Sequence, residues 1–361
     1  TSAGDIAIGG IISQDSARTL SQTGTNTLTL TGANTHSTTQ IGTTNGVTAG
    51  TVSIENNAAL GTGTLDYGAG GTLQLGVNGL SVANGIFVGN RNDTAARTIQ
   101  LDLDGSNTGE LTGNIDIRVD QVGEFVADVG TDDTLTFSGN LVTGLGGNAG
   151  LTKAGAGTLV LEGTNTYVGA TTVNDGTLIV DGNSSGVAGN VTIASGATLG
   201  GSGTIGGATT IQSGATLAAG NSPGVLTFND DLTLSAGSDT VMEITGTTRD
   251  SQYDGIDVGG LLTYGGALTI TSAAEIADGT YDLFGINGTE GGDFATVVLS
   301  GLAYSDDVFS LSSDMWTAFV GSKTYSFSQI TGDLTVVPEP ETFALLGGLL
   351  ALGYVMVRRR R

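Results

Sequence analysis

One motif occurs twice in this chain, and it limits the fold more than any other feature. Leu151-Thr-Lys-Ala-Gly-Ala-Gly-Thr-Leu-Val-Leu-Glu-Gly-Thr-Asn-Thr-Tyr167 aligns without a gap to Leu20-Ser-Gln-Thr-Gly-Thr-Asn-Thr-Leu-Thr-Leu-Thr-Gly-Ala-Asn-Thr-His36. The leading Leu, one Gly, the Thr-Leu-x-Leu core and the Gly-x-Asn-Thr exit are shared. A shorter period follows. Ser195-Gly-Ala-Thr-Leu199 returns 18 residues on as Ser213-Gly-Ala-Thr-Leu217, and Asp175-Gly-Thr-Leu-Ile179 stands about 20 residues before the first of them. Repetition at such a period marks stacked units, each too thin to bury a hydrophobic face alone.

Alternation decides strand over helix. In Thr158-Leu-Val-Leu161 and Thr177-Leu-Ile-Val180 the apolar side chains fall at spacing two, the period of a strand. Glycine makes up 62 of 361 residues, and in a helix each costs roughly 1 kcal/mol relative to Ala. Aromatics are only 5%, which suits a narrow core of small aliphatic side chains. These features predict an all-β chain: a right-handed parallel β-helix, or solenoid, of roughly 13 rungs, followed by a short C-terminal transmembrane α-helix. Residues 1–150 are expected to form the N-terminal part of the solenoid and 151–272 its repeat-bearing part. Residues 273–335, with much of the aromatic content and the single Trp316, are expected to form a closing β module over the open end. Residues 336–361 form a separate tail.

Charge narrows the partners. Residues 1–337 carry a net charge of −26, so nucleic acid is excluded by electrostatic repulsion from its phosphates. With no cysteine in the chain, disulfides, thiolate metal sites and a cysteine nucleophile are excluded. The start, Thr1-Ser-Ala-Gly-Asp5, has neither Met nor an apolar leader, and reads as a cut N-terminus.

Candidate chemistry is thin. His36 is the only histidine. It takes the place of Tyr167 in the alignment and reads as a turn-packing side chain, so no catalytic triad is assigned. The pairs Asp132-Asp133, Asp230-Asp231 and Asp306-Asp307 read as solvated turn residues rather than as the paired carboxylates of a glycoside hydrolase. Asp102-x-Asp104-Gly-Ser106 lacks the Gly and Glu that a calcium loop needs at its sixth and twelfth positions. The glycine run Gly144–Gly147 has no following Lys-Ser/Thr for phosphate. No catalytic, cofactor or metal residue is assigned, no cofactor is expected, and the body reads as non-enzymatic. Threonine is abundant but unevenly spaced along the chain, so a flat Thr face for ice is disfavoured against adhesion to carbohydrate or matrix.

The tail is the densest signal. Val337-Pro-Glu-Pro-Glu-Thr342 leads into fifteen uncharged residues, Phe343–Val357, and then Arg358, Arg359, Arg360 and Arg361. As a helix the apolar run spans about 22 Å, short of the roughly 30 Å hydrocarbon layer. The arginines are expected to set topology by staying cytoplasmic, with the body outside.

Two resemblances add to this reading. Residues 151–182, through Leu151-Thr-Lys-x-Gly-x-Gly-Thr-Leu-x-Leu161, Gly163-x-Asn-Thr-Tyr-x-Gly169 and Asn174-Asp-Gly-Thr-Leu178, resemble the autotransporter-associated β-strand repeat of bacterial surface proteins. That repeat implies a β-solenoid, not an activity. The order Pro-Glu-Pro, apolar run, arginine cluster resembles the PEP-CTERM sorting signal. By that resemblance Pro338, Glu339 and Pro340 are recognition residues for an exosortase, a membrane-embedded cysteine transpeptidase of Gram-negative-type bacteria. The chain is then an exported structural or adhesive surface component, held transiently in the inner membrane and delivered to the cell surface or matrix, with exopolysaccharide or other envelope components as partners. The alternative is a β-helix polysaccharide-degrading enzyme, or an ice- or polysaccharide-binding protein, with the same tail.

Overall fold

The computed structural model describes residues 4–14, 16–42, 50–68, 70–89, 96–117, 124–144, 149–220 and 223–339. Every element among them is a strand. Most pair in parallel, rung upon rung, into a solenoid with three faces. The largest face is a 13-stranded sheet running from Ile6–Ile8 to Thr289–Gly292. The second has 11 strands and contains Thr158–Leu161. The third face is built by two sheets in succession. Six strands from Thr19–Gln22 to Leu141–Val142 serve the N-terminal half, and five from Asn183–Ser184 to Phe284–Ile286 serve the C-terminal half.

Inward positions supply the core, as alternation dictates. Leu73, Ile99, Ala127 and Lys153 succeed one another in register on the largest sheet, and all four are buried. The rung length keeps the repeat period of 18 to about 20 residues in part of the chain only. Leu151, Thr171 and Val191 pair in steps of 20, and Val191 pairs with Thr209 after 18. Elsewhere Thr98 reaches Val126 only after 28 residues, and Leu232 reaches Leu262 after 30. Strands set the cross-section while turns absorb the extra chain, because lengthening a surface turn costs little entropy.

The two motif copies do not occupy equivalent faces. Thr27–Leu30 lies in the 13-stranded sheet, whereas its aligned partner Thr158–Leu161 lies in the 11-stranded one. The motif thus encodes a pair of strands and the corner after them, wherever on the prism they fall.

Parallel rungs continue as far as Thr296–Ser300, which pairs with Ala267–Thr271. The end is then covered by a five-stranded antiparallel sheet, Gly279–Asp282, Asp333–Pro338, Lys323–Ser328, Met315–Val320 and Ser310–Ser312 in spatial order. Phe327 of this cap packs 5.9 Å from Phe284 and 6.2 Å from Phe294 of the last rung, centroid to centroid. The Tyr264 hydroxyl donates to the Gln329 carbonyl at 3.1 Å, and the Trp316 indole N–H donates to the Gln329 side chain. Covering the last rung also protects its backbone edge.

Candidate functional site

The Gly-x-Asn corner has a definite task. Asn165 is 1% exposed. Its Oδ1 accepts the Leu141 N–H from the rung below at 2.9 Å, and its Nδ2 donates to Ser184 Oγ on the rung above at 3.0 Å. Asn34 does the same, accepting from Ile12 N–H and donating to the Ala59 carbonyl, each at 2.7 Å. One amide therefore ties three rungs, since it offers both donor and acceptor. The glycines two residues earlier are where neighbouring rungs touch: a Cβ on Gly163 would overlap the Gly139 carbonyl oxygen, and one on Gly32 that of Gly10.

His36 is buried in its corner, with Nε2 2.7 Å from Thr39 Oγ1, and burial lowers its pKa. Tyr167 packs likewise, its hydroxyl 2.5 Å from Thr171 Oγ1. Lys153 points into the core, and its ammonium donates to the carbonyls of Ala154 at 2.8 Å, Gly155 at 2.6 Å and Asp175 at 3.2 Å. Burial pulls its pKa down to about 8 against the opposing fields of Asp175 and Asp128. All three side chains hold turns.

The acidic pairs also serve turns, but not all as solvated residues. Asp133 is buried. One of its oxygens accepts the Leu103 N–H, the other the backbone and side-chain N–H groups of Asn107, each at 2.9 Å. Asp231 accepts the Leu261 N–H at 2.7 Å and Asp306 the Ser300 hydroxyl at 2.6 Å. Asp254 accepts the N–H groups of Gly224 at 2.9 Å and Glu243 at 2.7 Å, and burial raises its pKa to about 6 against those two hydrogen bonds. It lines a groove of about 220 Å³ with Glu243. A second groove, of about 380 Å³, carries Glu110 and Glu162. Ser138 at 2.5 Å and Ser81 at 3.3 Å donate to Glu110. Each groove thus offers two carboxylates. No group of three His, Asp or Glu side chains among the described residues is arranged for a metal ion.

The threonines that look uneven in sequence fall into columns. On the outer face of the 13-stranded sheet, Thr27, Thr51, Thr72, Thr98, Val126, Thr152, Thr172, Thr192, Thr210, Thr233 and Thr263 follow one another in register. All are half-buried. Val126 alone departs, with the shape of Thr and a methyl in place of the hydroxyl. A second column, Thr108, Thr134, Thr158, Thr177, Thr198 and Thr216, runs along the 11-stranded sheet. Adjacent rungs lie about 4.8 Å apart, so each column is an uncharged row of hydroxyls and methyls at that repeat.

At the other end of the chain, Pro338 closes the strand Asp333–Pro338 and is exposed, and Glu339 follows half-buried. Pro340, the run Phe343–Val357 and Arg358–Arg361 lie outside the described residues. No helix among the described residues is long and apolar enough to cross a membrane.

Comparison with protein families meets the chain at two places. A model described as Passenger-associated-transport-repeat matches residues 151–180, and one described as PEP-CTERM protein-sorting motif matches residues 336–361. The chain carries both signatures. The repeat coincides with the Lys153 turn, the Asn165 corner and the first 20-residue rung. The PEP-CTERM motif implies export and sorting to the envelope or surface of Gram-negative bacteria, and it is the recognition signal of exosortase. No curated protein matches the chain.

Proposed function

We propose that the chain is a non-enzymatic, adhesive or structural surface component, with the right-handed winding that parallel crossovers favour. The observation that supports adhesion is the column from Thr27 to Thr263. A row repeating at the rung spacing suits a partner that itself repeats, such as an exopolysaccharide chain, because every rung makes the same weak contact and the contacts add by avidity. Co-sedimentation with insoluble matrix polysaccharide is the test. The body is expected to pellet with it, and a triple Thr172→Glu, Thr192→Glu, Thr210→Glu variant to stay in solution. Equal binding by both removes this face from consideration, and release of cleaved sugar would favour the enzyme.

The tail supplies the address. Phe343–Val357 holds the exported chain in the inner membrane as a short helix, Arg358–Arg361 keep its end cytoplasmic, and exosortase acts near Pro338–Pro340 before the body moves to the surface. Mass spectrometry of surface-extracted protein is expected to lack peptides from Leu345–Val357. A Pro338→Ala, Pro340→Ala chain is expected to keep them and to stay in the inner membrane.

A further inference from the structure

The leading part of the sorting motif belongs to the folded cap. Strand Asp333–Pro338 runs antiparallel to Lys323–Ser328, with Pro338 opposite Lys323 and Val337 opposite Thr324. One residue further, Glu339 donates its backbone N–H to the Ser322 carbonyl at 2.7 Å. Its Oε1 accepts the Thr324 hydroxyl at 2.7 Å. Lys323, between these two contacts, is fixed in turn: its ammonium donates to the Ile276 carbonyl at 2.7 Å and lies 3.0 Å from both Glu275 and Asp278. On the opposite side, the register of Gly279–Asp282 begins at Val336, so Pro338 and Glu339 reach beyond that strand. The hairpin grips the motif along one edge.

An enzyme that reads an extended peptide uses its backbone groups and alternate side chains. Proline has no N–H, so Glu339 holds the one backbone donor of Pro338-Glu339-Pro340. The cap occupies that donor and the Glu339 carboxylate together. Only Pro340, Glu341 and Thr342 separate Glu339 from Phe343, a reach of at most about 14 Å, so little slack exists on the membrane side.

We infer that Ser322 and Thr324 are positioning residues that withhold the sorting motif: exosortase must take Glu339 from the hairpin, and the strength of the Thr324–Glu339 contact sets the rate of processing. The inference rests on the reading of the tail as an exosortase substrate. Pulse–chase of the full chain in a host with its cognate exosortase tests it, with tail loss read as a mass shift. Thr324→Val deletes the hydroxyl and keeps the branched shape, and is expected to lose the tail roughly fivefold faster, the ratio that one net hydrogen bond supplies. Thr324→Ser keeps the donor and should process at the parental rate. Processing of the Pro338→Ala, Pro340→Ala chain at the parental rate would sink the substrate reading itself. A block in that chain, with Thr324→Val no faster than the parent, overturns the inference alone. Hydrogen exchange on the detergent-solubilised parent is independent of any variant. The Glu339 amide is expected to be protected, and exchange as fast as in a free peptide overturns the inference.

Discussion

Leu20–His36 and Leu151–Tyr167 share a motif and sit on different faces of the same prism. In the first copy the strand Thr27–Leu30 belongs to the 13-stranded sheet. In the second, Thr158–Leu161 belongs to the 11-stranded one. Their corners nevertheless work alike. Asn34 and Asn165 each tie the rung below to the rung above. Gln22, aligned with Lys153, donates to the Asn26 carbonyl at 2.6 Å, as Lys153 does to the carbonyls of its own turn. What the motif conserves is therefore the satisfaction of backbone groups at a corner, which every rung needs, and not a place in the cross-section. In a stack held by nearest-neighbour interfaces, a corner works at any vertex.

The sharpest way to break this equivalence is to crowd the corners. Gly163→Val and Gly32→Val each drive a side chain into a neighbouring backbone carbonyl. Each is expected to cost about 3 kcal/mol or more, read as a fall in the urea midpoint. A tolerated valine at either site would mean that rungs there slide apart freely.

Next come the amides. Asn165→Leu leaves the Leu141 N–H and the Ser184 hydroxyl without this partner in a buried setting, with an expected loss of about 3 kcal/mol. Asn34→Leu is expected to cost about 2 kcal/mol, because its contact to Ile12 is only partly buried. A reversed order would show that corner strength depends on the face.

A further effect separates the copies by pH. Lys153 has a folded-state pKa of about 8 against 10.5 when free. Below pH 8 the fold bears the full cost of its buried charge. Stability should rise as pH climbs from about 8 to about 10.5, where the folded protein binds fewer protons than the unfolded chain. Lys153→Gln, which makes the second copy resemble the first, should remove that slope from equilibrium unfolding curves.

His36 is expected to give the smallest effect, confined to the first copy. Its lowered pKa means that the unfolded chain takes up a proton first as pH falls below about 6.5, so stability should decline there. His36→Tyr, the residue of the second copy, should abolish the decline, as followed by hydrogen exchange of the amides in residues 20–42 and 50–60.

Much of this molecule is legible in its residues. The Thr-Leu-x-Leu alternation alone fixes which side chains face inward, because strand geometry sends successive side chains to opposite faces. The glycine spacing fixes where turns fall, and the ordered Pro338-Glu-Pro, apolar run and arginines announce the tail. The columns of threonine were hidden. Strand neighbours are chosen by lateral hydrogen bonding, and the chain between them varies from 18 residues, Val191 to Thr209, to 30, Leu232 to Leu262. Counting along the sequence therefore scatters residues that the ladder aligns. Asp133 was hidden for the same reason: its N–H partners at Leu103 and Asn107 lie a full rung away. So was the hold on Glu339, whose partners Ser322 and Thr324 come within reach only when the final strand folds back along the hairpin. The residues determined which backbone is strand and which side chains are core. Only lateral pairing between distant rungs decided which of the remaining side chains stand together.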